Sequence, residues 1–137
     1  MTAEFEIKTG KEHMKAADIH RLLKETYWGK ERTEEAVRLS LEHSVCAGAF
    51  EKRTGRQIGF VRAITDFSTV YYVLDMVVDP EARNQGVGRR LMETLTGLPQ
   101  LEKLRGILIT KNPVAEKLYE SLGFIVPDTV FMDRKPR

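Results

Sequence analysis

One short segment limits the fold of this chain more than any other, because it joins an apolar run to a glycine-rich turn and then to a helical pattern. The apolar run Val73–Val78 is interrupted only by Asp75 and ends just before Asp79 and Pro80. Gly86-Val87-Gly88 follows, and apolar residues then recur at helical spacing. This order predicts a strand, a glycine loop and a helix. Such a loop directs bare backbone N–H groups and a helix N-terminus at one point, which favours an anion, phosphate above all.

The length and charge of the chain indicate one domain and a small anionic ligand. Its 137 residues suit a single domain over residues 1–137. The 22 Lys and Arg residues nearly balance the 20 Asp and Glu residues, for a net charge of +2, so no basic patch indicates a nucleic-acid partner. Arg83, Arg89 and Arg90 lie at the glycine loop, where they favour a small anion instead.

Cysteine content and hydropathy point to the cytoplasm. Cys46 is the only cysteine, so the chain forms no internal disulfide, and we expect a buried structural thiol. Residues 1–11 lack the apolar core of a signal peptide, and no apolar run approaches the roughly 20 residues of a membrane span. We therefore expect a cytoplasmic protein with no membrane partner and no metal.

The remaining periodicities predict an α/β fold, a mixed sheet with helices on both faces. Strand and helix patterns follow the order β-α-α-β-β-β-α-β-α-β. The glycine loop and its helix form a single crossover between two strands. These two strands should therefore form a central parallel pair in a mostly antiparallel sheet. The predicted strands are 5–10, 45–50, 57–64, 71–78, 106–110 and 124–132, and the fifth should be buried on both faces. The predicted helices are 12–27, 34–43 after the N-cap Thr33, 87–98, and 113–122 after the N-cap Asn112.

Two motifs in this arrangement resemble the GNAT superfamily of N-acetyltransferases. Residues 83–88, Arg-Asn-Gln-Gly-Val-Gly, match the family's acetyl-CoA loop, Arg/Gln-x-x-Gly-x-Gly/Ala. One helix and one strand later, residues 112–124 resemble the family's Asn…Ala…Leu-Tyr-Glu-x-x-Gly-Phe segment. The resemblance implies an enzyme that transfers an acetyl group from acetyl-CoA to a primary amine of a small molecule, amino acid or peptide, by direct attack in a ternary complex.

The resemblance also implies which residues hold acetyl-CoA. Backbone N–H groups of residues 84–89 would bind the pyrophosphate, with glycines that allow a close approach. The strand around Met76 and Val78 would splay away from the strand around Ile109, so that the pantetheine arm pairs with the open edge. The implied donor-binding residues are Met76, Val77, Val78, Arg83, Asn84, Gln85, Gly86, Val87, Gly88, Arg89, Asn112 and Tyr119.

Two side chains are candidates for catalysis. The resemblance implies that Tyr119 protonates the departing thiolate and that a backbone N–H near Val78 stabilises the thioester oxygen. Asp75 is the one charged residue in its apolar strand, where burial should raise its pKa and suit it to act as the base, directly or through water. The alternative for Asp75 is a structural hydrogen bond or orientation of the substrate ammonium.

The acceptor site is expected, again from the resemblance, at the first two helices, their connecting loop and the late strands. Tyr27 and Trp28 are candidates for an aromatic wall, with core packing of Trp28 as the alternative. Arg32 and Arg62 are candidates for binding an acidic group on the acceptor, with structural ion pairs as the alternative.

Three further matters stay open. Asp66 and Glu42 could hold a cationic acceptor instead of an acidic one. A regulatory module that binds CoA without turnover is an alternative to an enzyme, although the presence of Tyr119 and Asn112 argues against it. The resemblance also allows a homodimer.

Overall fold

A five-stranded sheet organises the chain, which the computed structural model describes over residues 4–136. The strands lie across the sheet in chain order, and they are β1 Phe5–Thr9, β2 Val45–Glu51, β3 Gln57–Thr65, β4 Val70–Val78 and β5 Arg105–Ile107. Neighbouring strands from β1 to β4 are antiparallel, whereas β4 and β5 are parallel. Of the domain expected over 1–137, residues 1–3 and 137 lie outside the described residues.

In residues 4–136, four α-helices cover the two faces of this sheet. They are α1 Ala16–Leu23, α2 Glu34–Glu42, α3 Val87–Thr96 and α4 Pro113–Ser121, with 3₁₀ turns at Lys11–His13 and Pro80–Ala82. Apolar residues of α1 and α2 share one buried cluster with sheet residues such as Phe60 and Cys46. Apolar residues of α3 and α4 share a second cluster with Val61 and Val73. The predicted fold class is therefore confirmed, and the thiol of Cys46 is buried as expected.

Side-chain caps define where α2 and α4 begin. Thr33 Oγ1 accepts a hydrogen bond from the Ala36 N–H (3.1 Å), and Asn112 Oδ1 accepts one from the Val114 N–H (3.0 Å), so both predicted N-caps are confirmed. The first helix is shorter than predicted because Thr26 Oγ1 donates to a carbonyl at its last turn. No helix in the described part of the chain combines the length and apolar character needed to cross a membrane.

Two predictions for the end of the chain are wrong. β5 is a three-residue edge strand rather than a strand buried on both faces, and its Ile107 is 41% exposed. No strand forms over 124–132, where Val130, Phe131 and Met132 are 64–86% exposed. Pro127 has no N–H to offer a sheet, and β5 is too short to pair with a long strand.

A bulge in β4 reverses the direction of its side chains. Val77 pairs with Phe60 and Leu74 pairs with Arg62, so Asp75 and Met76 together oppose one residue of β3. Asp75 has a φ of 57°, which allows the extra residue to fit. Before the bulge, Val73 lies in the α3/α4 cluster, whereas after it Val77 lies in the α1/α2 cluster. The bulge therefore turns Asp75 toward the α1/α2 face.

The parallel pair of β4 and β5 is held only at its beginning. Register pairs join Val70–Tyr72 to Arg105–Ile107, and the contact between Tyr71 and Gly106 lies at its centre. A Cβ at Gly106 would come within 2.4 Å of the Tyr71 ring, so only glycine lets β5 approach. Beyond Tyr72, β4 continues to Val78 with no strand on that side in the described residues.

We predict that Gly106→Ala destabilises the protein by about 1–3 kcal/mol, because the added methyl group must displace the Tyr71 ring. The free energy of unfolding in urea measures the effect. In a Tyr71→Val background the same change should cost much less, since the ring is absent. An equal cost in both backgrounds would show that the Tyr71–Gly106 contact is not what requires glycine.

Candidate functional site

The unpaired side of β4 offers backbone groups to a ligand. The Asp79 N–H donates to the Ile58 carbonyl of the neighbouring chain segment (2.8 Å), so the backbone of Val78, one residue earlier, faces away from β3. By the same alternation, Met76 also faces the open side. Val77 faces β3 and its side chain is buried under α1 and α2, so the open edge consists of Met76 and Val78.

The glycine loop lies directly beyond this edge and leaves its N–H groups free. Asn84 (φ 64°) and Gly86 (φ 79°) adopt left-handed backbone conformations, and Gly86 precedes the first residue of α3. The first hydrogen bond of the helix runs from the Arg90 N–H to the Gly86 carbonyl (3.1 Å). Within the described residues, the backbone N–H groups of residues 84–89 donate no hydrogen bond to a backbone acceptor outside a helix. These N–H groups, at a helix N-terminus, are therefore free to donate to an anion.

A buried aspartate supports the start of the loop. Asp79 Oδ1 accepts from the Glu81 N–H (3.0 Å), and its Oδ2 accepts from Arg21 of α1 (3.0 Å). Two side chains of the loop also donate hydrogen bonds to the backbone near this turn. Arg83 Nε donates to the Val78 carbonyl and Gln85 Nε2 donates to the Glu81 carbonyl, each at 3.4 Å. This turn fixes the loop relative to the end of β4.

The groove is the space along the unpaired edge of β4, beside α3 and α4. A Cβ at Gly88 would be 3.4 Å from Met76 Cε, 3.7 Å from Leu118 Cδ2 and 3.9 Å from Val78 Cγ2, so this glycine lines the groove. Arg89 of α3 donates to Ser121 Oγ of α4 (2.9 Å), which holds the two helices together at the surface.

Tyr119 is buried on α4, the helix whose Leu118 lies beside this groove. Its ring packs edge to face against Phe124, with centroids 6.2 Å apart. Every buried side-chain oxygen in residues 4–136 has a hydrogen-bond partner, and none is recorded for the Tyr119 hydroxyl, so that hydroxyl must reach solvent. Burial raises the pKa of Tyr119 above its ordinary value of 10, which keeps the hydroxyl protonated at neutral pH.

Asp75 lies between two guanidinium groups on the other face of β4. Its Oδ2 accepts from Arg32 Nη1 (2.5 Å) and from Arg62 Nε (2.8 Å), and Arg62 Nη1 donates to Ser44 Oγ (3.0 Å). Burial of Asp75 acts to raise its pKa, but the hydrogen bonds and charges of Arg32 and Arg62 outweigh burial and lower the pKa below 3.8. The expectation of a raised pKa is therefore wrong, because burial alone ignores the two arginines that the fold brings to this carboxylate.

The loop between α1 and α2 stands open beside this ion cluster. Tyr27 and Trp28 pack edge to face (5.1 Å) and are 66% and 44% exposed, so the alternative of core packing for Trp28 is wrong. Lys111 Nζ lies 5.8 Å from the centre of the Tyr27 ring, which places the loop against the residue that precedes Asn112. His20 of α1 donates to the Arg32 carbonyl (2.9 Å) and so holds the end of the loop.

The structure separates the two candidate acidic residues from this site. Asp66 closes the turn between β3 and β4, at the opposite end of β4 from the glycine loop, where it accepts hydrogen bonds from Ser68 and Thr69. Glu42 pairs with Lys11 (2.6 Å). Sequence reasoning missed Lys111, His20 and Ser44, because none belongs to a motif and each joins the site only through folding. In residues 4–136, no group of three or more His, Cys, Asp or Glu side chains is placed to hold a metal ion.

Comparison with known proteins agrees with this geometry. The family described as Acetyltransferase (GNAT) domain matches residues 42–126, more than half of the chain. Serotonin N-acetyltransferase 2, chloroplastic, from Oryza sativa subsp. japonica is 32% identical over 103 residues, which cover 72% of this chain and 52% of that protein. The chain spans 52% and 64% of the lengths of two curated relatives that it matches.

Solved structures share the whole fold. A GNAT-family protein from Xanthomonas campestris pv. campestris has a TM-score of 0.87 at 32% identity, over 99% of this chain and 96% of that one. The aminoglycoside N-acetyltransferase AAC(6')-Iy, solved in complex with CoA, has a TM-score of 0.72 at 21% identity, over 98% of this chain and 97% of its own. With the family match and the two motifs in place on the strand, loop and helices described above, the chain belongs to the GNAT family of acetyltransferases.

Proposed function

We propose that the chain is an acetyl-CoA-dependent N-acetyltransferase that acts on a primary amine by direct attack in a ternary complex. The observation that carries this proposal is the unpaired edge of β4 at Met76 and Val78, which leads straight to the free N–H groups of residues 84–89. An extended amide-containing arm and a pyrophosphate need these two features in this order. The acceptors named for the relatives, serotonin and aminoglycosides, carry amines and support the same class.

The residues present fit the acetyl donor. A Cβ at Gly86 would meet no atom within 4 Å, so this position leaves room for a ligand beside the free N–H groups. Arg83 and Arg89 flank the loop and add positive charge. The Oδ1 of Asn112 caps α4, so this side chain would offer its Nδ2 to the pantetheine arm. We leave Val77 out of the proposed site because its backbone faces β3.

The proposed chemistry uses two groups of the chain. Acetyl-CoA supplies a thioester carbonyl at which the amine forms an N–C bond while the C–S bond breaks. The Val78 N–H, which faces the open side of β4, would donate a hydrogen bond to the carbonyl oxygen as negative charge develops. The Tyr119 hydroxyl, kept protonated by its raised pKa, would give its proton to the leaving sulfur.

We propose that Asp75 positions arginines rather than removing the proton from the amine. A carboxylate held by two guanidinium groups at 2.5 and 2.8 Å, with a lowered pKa, has little affinity for a proton. Its alternative role, structural hydrogen bonding, is the one that the contacts favour. The ammonium would then lose one proton to water beside the exposed Trp28 before attack, and the proton that the nitrogen releases as the amide forms would restore the Tyr119 hydroxyl.

We predict that Gly86→Glu weakens acetyl-CoA binding at least about 100-fold, because a carboxylate would enter the site of the pyrophosphate. Calorimetric titration with acetyl-CoA measures the loss. Gly55→Glu is the control, since Gly55 also has a positive φ (76°) but lies in the β2–β3 turn. Equal losses in both variants would attribute the effect to backbone strain and remove the loop from the site.

We predict that Tyr119→Phe lowers kcat about 10- to 1,000-fold with little change in acetyl-CoA affinity, because only the acidic proton is lost. Release of free CoA thiol measures kcat. Tyr71→Phe is the matched control, since Tyr71 is also buried and its pKa is also raised by burial, but it packs on Gly106 instead of the groove. Wild-type turnover of Tyr119→Phe would remove Tyr119 from the mechanism.

We predict that Asp75→Asn destabilises the fold by about 3–5 kcal/mol at pH 7, because it leaves the buried guanidinium group of Arg62 without a counter-charge and removes the partner of the half-buried Arg32. Since the pKa of Asp75 is lowered by folding, its stabilising contribution is present above the unfolded value of 3.8 and is lost as the pH falls below it. The difference in stability between wild type and variant should therefore shrink below about pH 4.

Asp75→Asn also distinguishes a role of Asp75 in positioning the arginines from a role as the base. Its pH–rate profile should keep the limbs of the wild type, whereas loss of a limb would identify Asp75 as the base. Asp128→Asn, on the exposed C-terminal segment, is the control and should change neither stability nor profile.

A further inference from the structure

A buried carboxylate at the start of the glycine loop also binds a helix on the α1/α2 face of the sheet. Asp79 directly follows β4, and only 8% of its side chain is exposed. Its Oδ1 accepts from the Glu81 N–H (3.0 Å), and its backbone carbonyl accepts from the Ala82 N–H (2.8 Å). Its Oδ2 accepts from Arg21 Nη1 of α1 (3.0 Å). One side chain therefore holds the 3₁₀ turn with one oxygen and α1 with the other.

Arg21 joins two ends of the sheet at once. Its Nη2 donates to the Gln57 carbonyl at the start of β3 (3.0 Å), while its Nη1 binds Asp79 after the end of β4. A guanidinium reaches both acceptors because its two terminal nitrogens form a rigid fork, whereas the ammonium of a lysine is a single point of charge. The double contact is therefore specific for arginine.

The other charged groups around this contact do not replace it. Arg56 Nη2 lies 3.8 Å from Asp79 Oδ2, beyond hydrogen-bond distance, and 47% of the Arg56 side chain is exposed. Glu25 and Glu81 line the same open cavity as Arg21, but no ion pair is recorded for either carboxylate in residues 4–136. Arg21 is therefore the counter-charge that lies within hydrogen-bond distance of the buried carboxylate.

α1 has other attachments to the sheet, so Arg21 is not needed to dock the helix. Three apolar side chains of α1 are buried in the α1/α2 cluster. Asp18 Oδ2 accepts from the Gln57 N–H (3.0 Å), and Gln57 Oε1 accepts from the Lys15 N–H (2.9 Å). What Arg21 adds to these attachments is the bond to Asp79.

The position of the glycine loop depends on the turn that Asp79 caps. Ala82 and Val87 on either side of the loop are buried in the α3/α4 cluster, whereas Asn84 between them is exposed. The 3₁₀ turn therefore sets the direction in which the chain enters the loop. A change of that direction would move the free N–H groups of residues 84–89, which bind an anion only when they point at one place.

We infer that Arg21 is a positioning residue for the acetyl donor, on which it acts through Asp79 and the turn at the start of the glycine loop. The inference rests on the proposed function, because it gives a helix outside the groove a role in binding acetyl-CoA. Without Arg21, the buried carboxylate would lose its counter-charge and would turn toward solvent or toward Arg56. The Glu81 N–H would then lose its acceptor, and the loop would lose its fixed entry.

Calorimetric titration with acetyl-CoA measures the effect. Arg21→Gln should weaken binding about 5- to 20-fold. Arg21→Lys should weaken it less, because an ammonium keeps the charge beside Asp79 but does not also reach the Gln57 carbonyl. Arg38→Gln is the matched control and should leave the affinity unchanged, since Arg38 is a helix-surface arginine that binds Glu34, a carboxylate of its own helix α2.

A double-mutant cycle with Asp79→Asn shows whether Arg21 acts through Asp79. An asparagine still accepts from the Glu81 N–H, but it leaves no buried charge for Arg21 to balance. Arg21→Gln should therefore change acetyl-CoA affinity by less than about 3-fold in this background. Equal losses in the two backgrounds would overturn the inference, since Arg21 would then act through the Gln57 carbonyl or through general stability.

Hydrogen exchange of the protein without acetyl-CoA, followed by NMR, is a readout that does not depend on binding. The Glu81 and Ala82 amides, which both donate to Asp79, should exchange about 3- to 10-fold faster in Arg21→Gln. The amides of α1 should keep their wild-type rates, and faster exchange across α1 as well would overturn the inference. This comparison decides if Asp79→Asn fails to fold.

The two measurements separate the inference from the proposed function. Acetyl-CoA binding that is equally tight in wild type and Arg21→Gln would overturn the inference and support the proposed function. Faster exchange at Glu81 and Ala82 in Arg21→Gln, in a protein that binds no acetyl-CoA, would support Arg21 as the residue that positions the loop and would overturn the proposed function.

Discussion

The early end of the pairing between β4 and β5 is the constraint on which the rest of the structure depends. Three register pairs hold the strands, and the Tyr71 ring packed on Gly106 sets how closely they approach. β4 then continues for six residues with one side free, from Val73 to Val78. Unpaired backbone groups inside a protein need partners, so a gap of this kind persists where a ligand supplies them. The glycine loop and α4 converge on the same gap, which is why we place the acetyl donor there.

The bulge at Asp75 connects this gap to the acceptor loop. Without the extra residue, Asp75 would lie on the same face as Val73, toward α3 and α4. With it, the carboxylate meets Arg62 of β3 and Arg32 of the loop that follows α1. This ion cluster therefore fixes the position of the loop that follows α1 relative to the sheet. A buried charge that loses its partners is strongly destabilising, so this relation resists change.

How much could be predicted from the sequence depended on how local each feature is. The caps at Thr33 and Asn112, the glycine loop and the crossover between parallel strands rest on residues close together in the chain, and all were confirmed. The pKa of Asp75 was predicted in the wrong direction, because its partners are 43 and 13 residues away. The last strand was predicted from apolar residues alone, but a strand also needs an edge to pair with, and β5 offers three residues.

The sequence by itself predicted a phosphate-bearing ligand and determined the order of the elements from β1 to α4. Glycines at 86 and 88 after an apolar strand leave a loop of bare N–H groups at a helix N-terminus, whatever surrounds them. The tertiary structure alone decided which side chains meet at the acceptor end. Lys111 reaches Tyr27 and His20 reaches Arg32 only because α1 and the segment before α4 approach the same edge of β4. Charge and hydrogen bonding act through space over a few ångströms, so their balance at Asp75 is set by packing and not by neighbours in the chain.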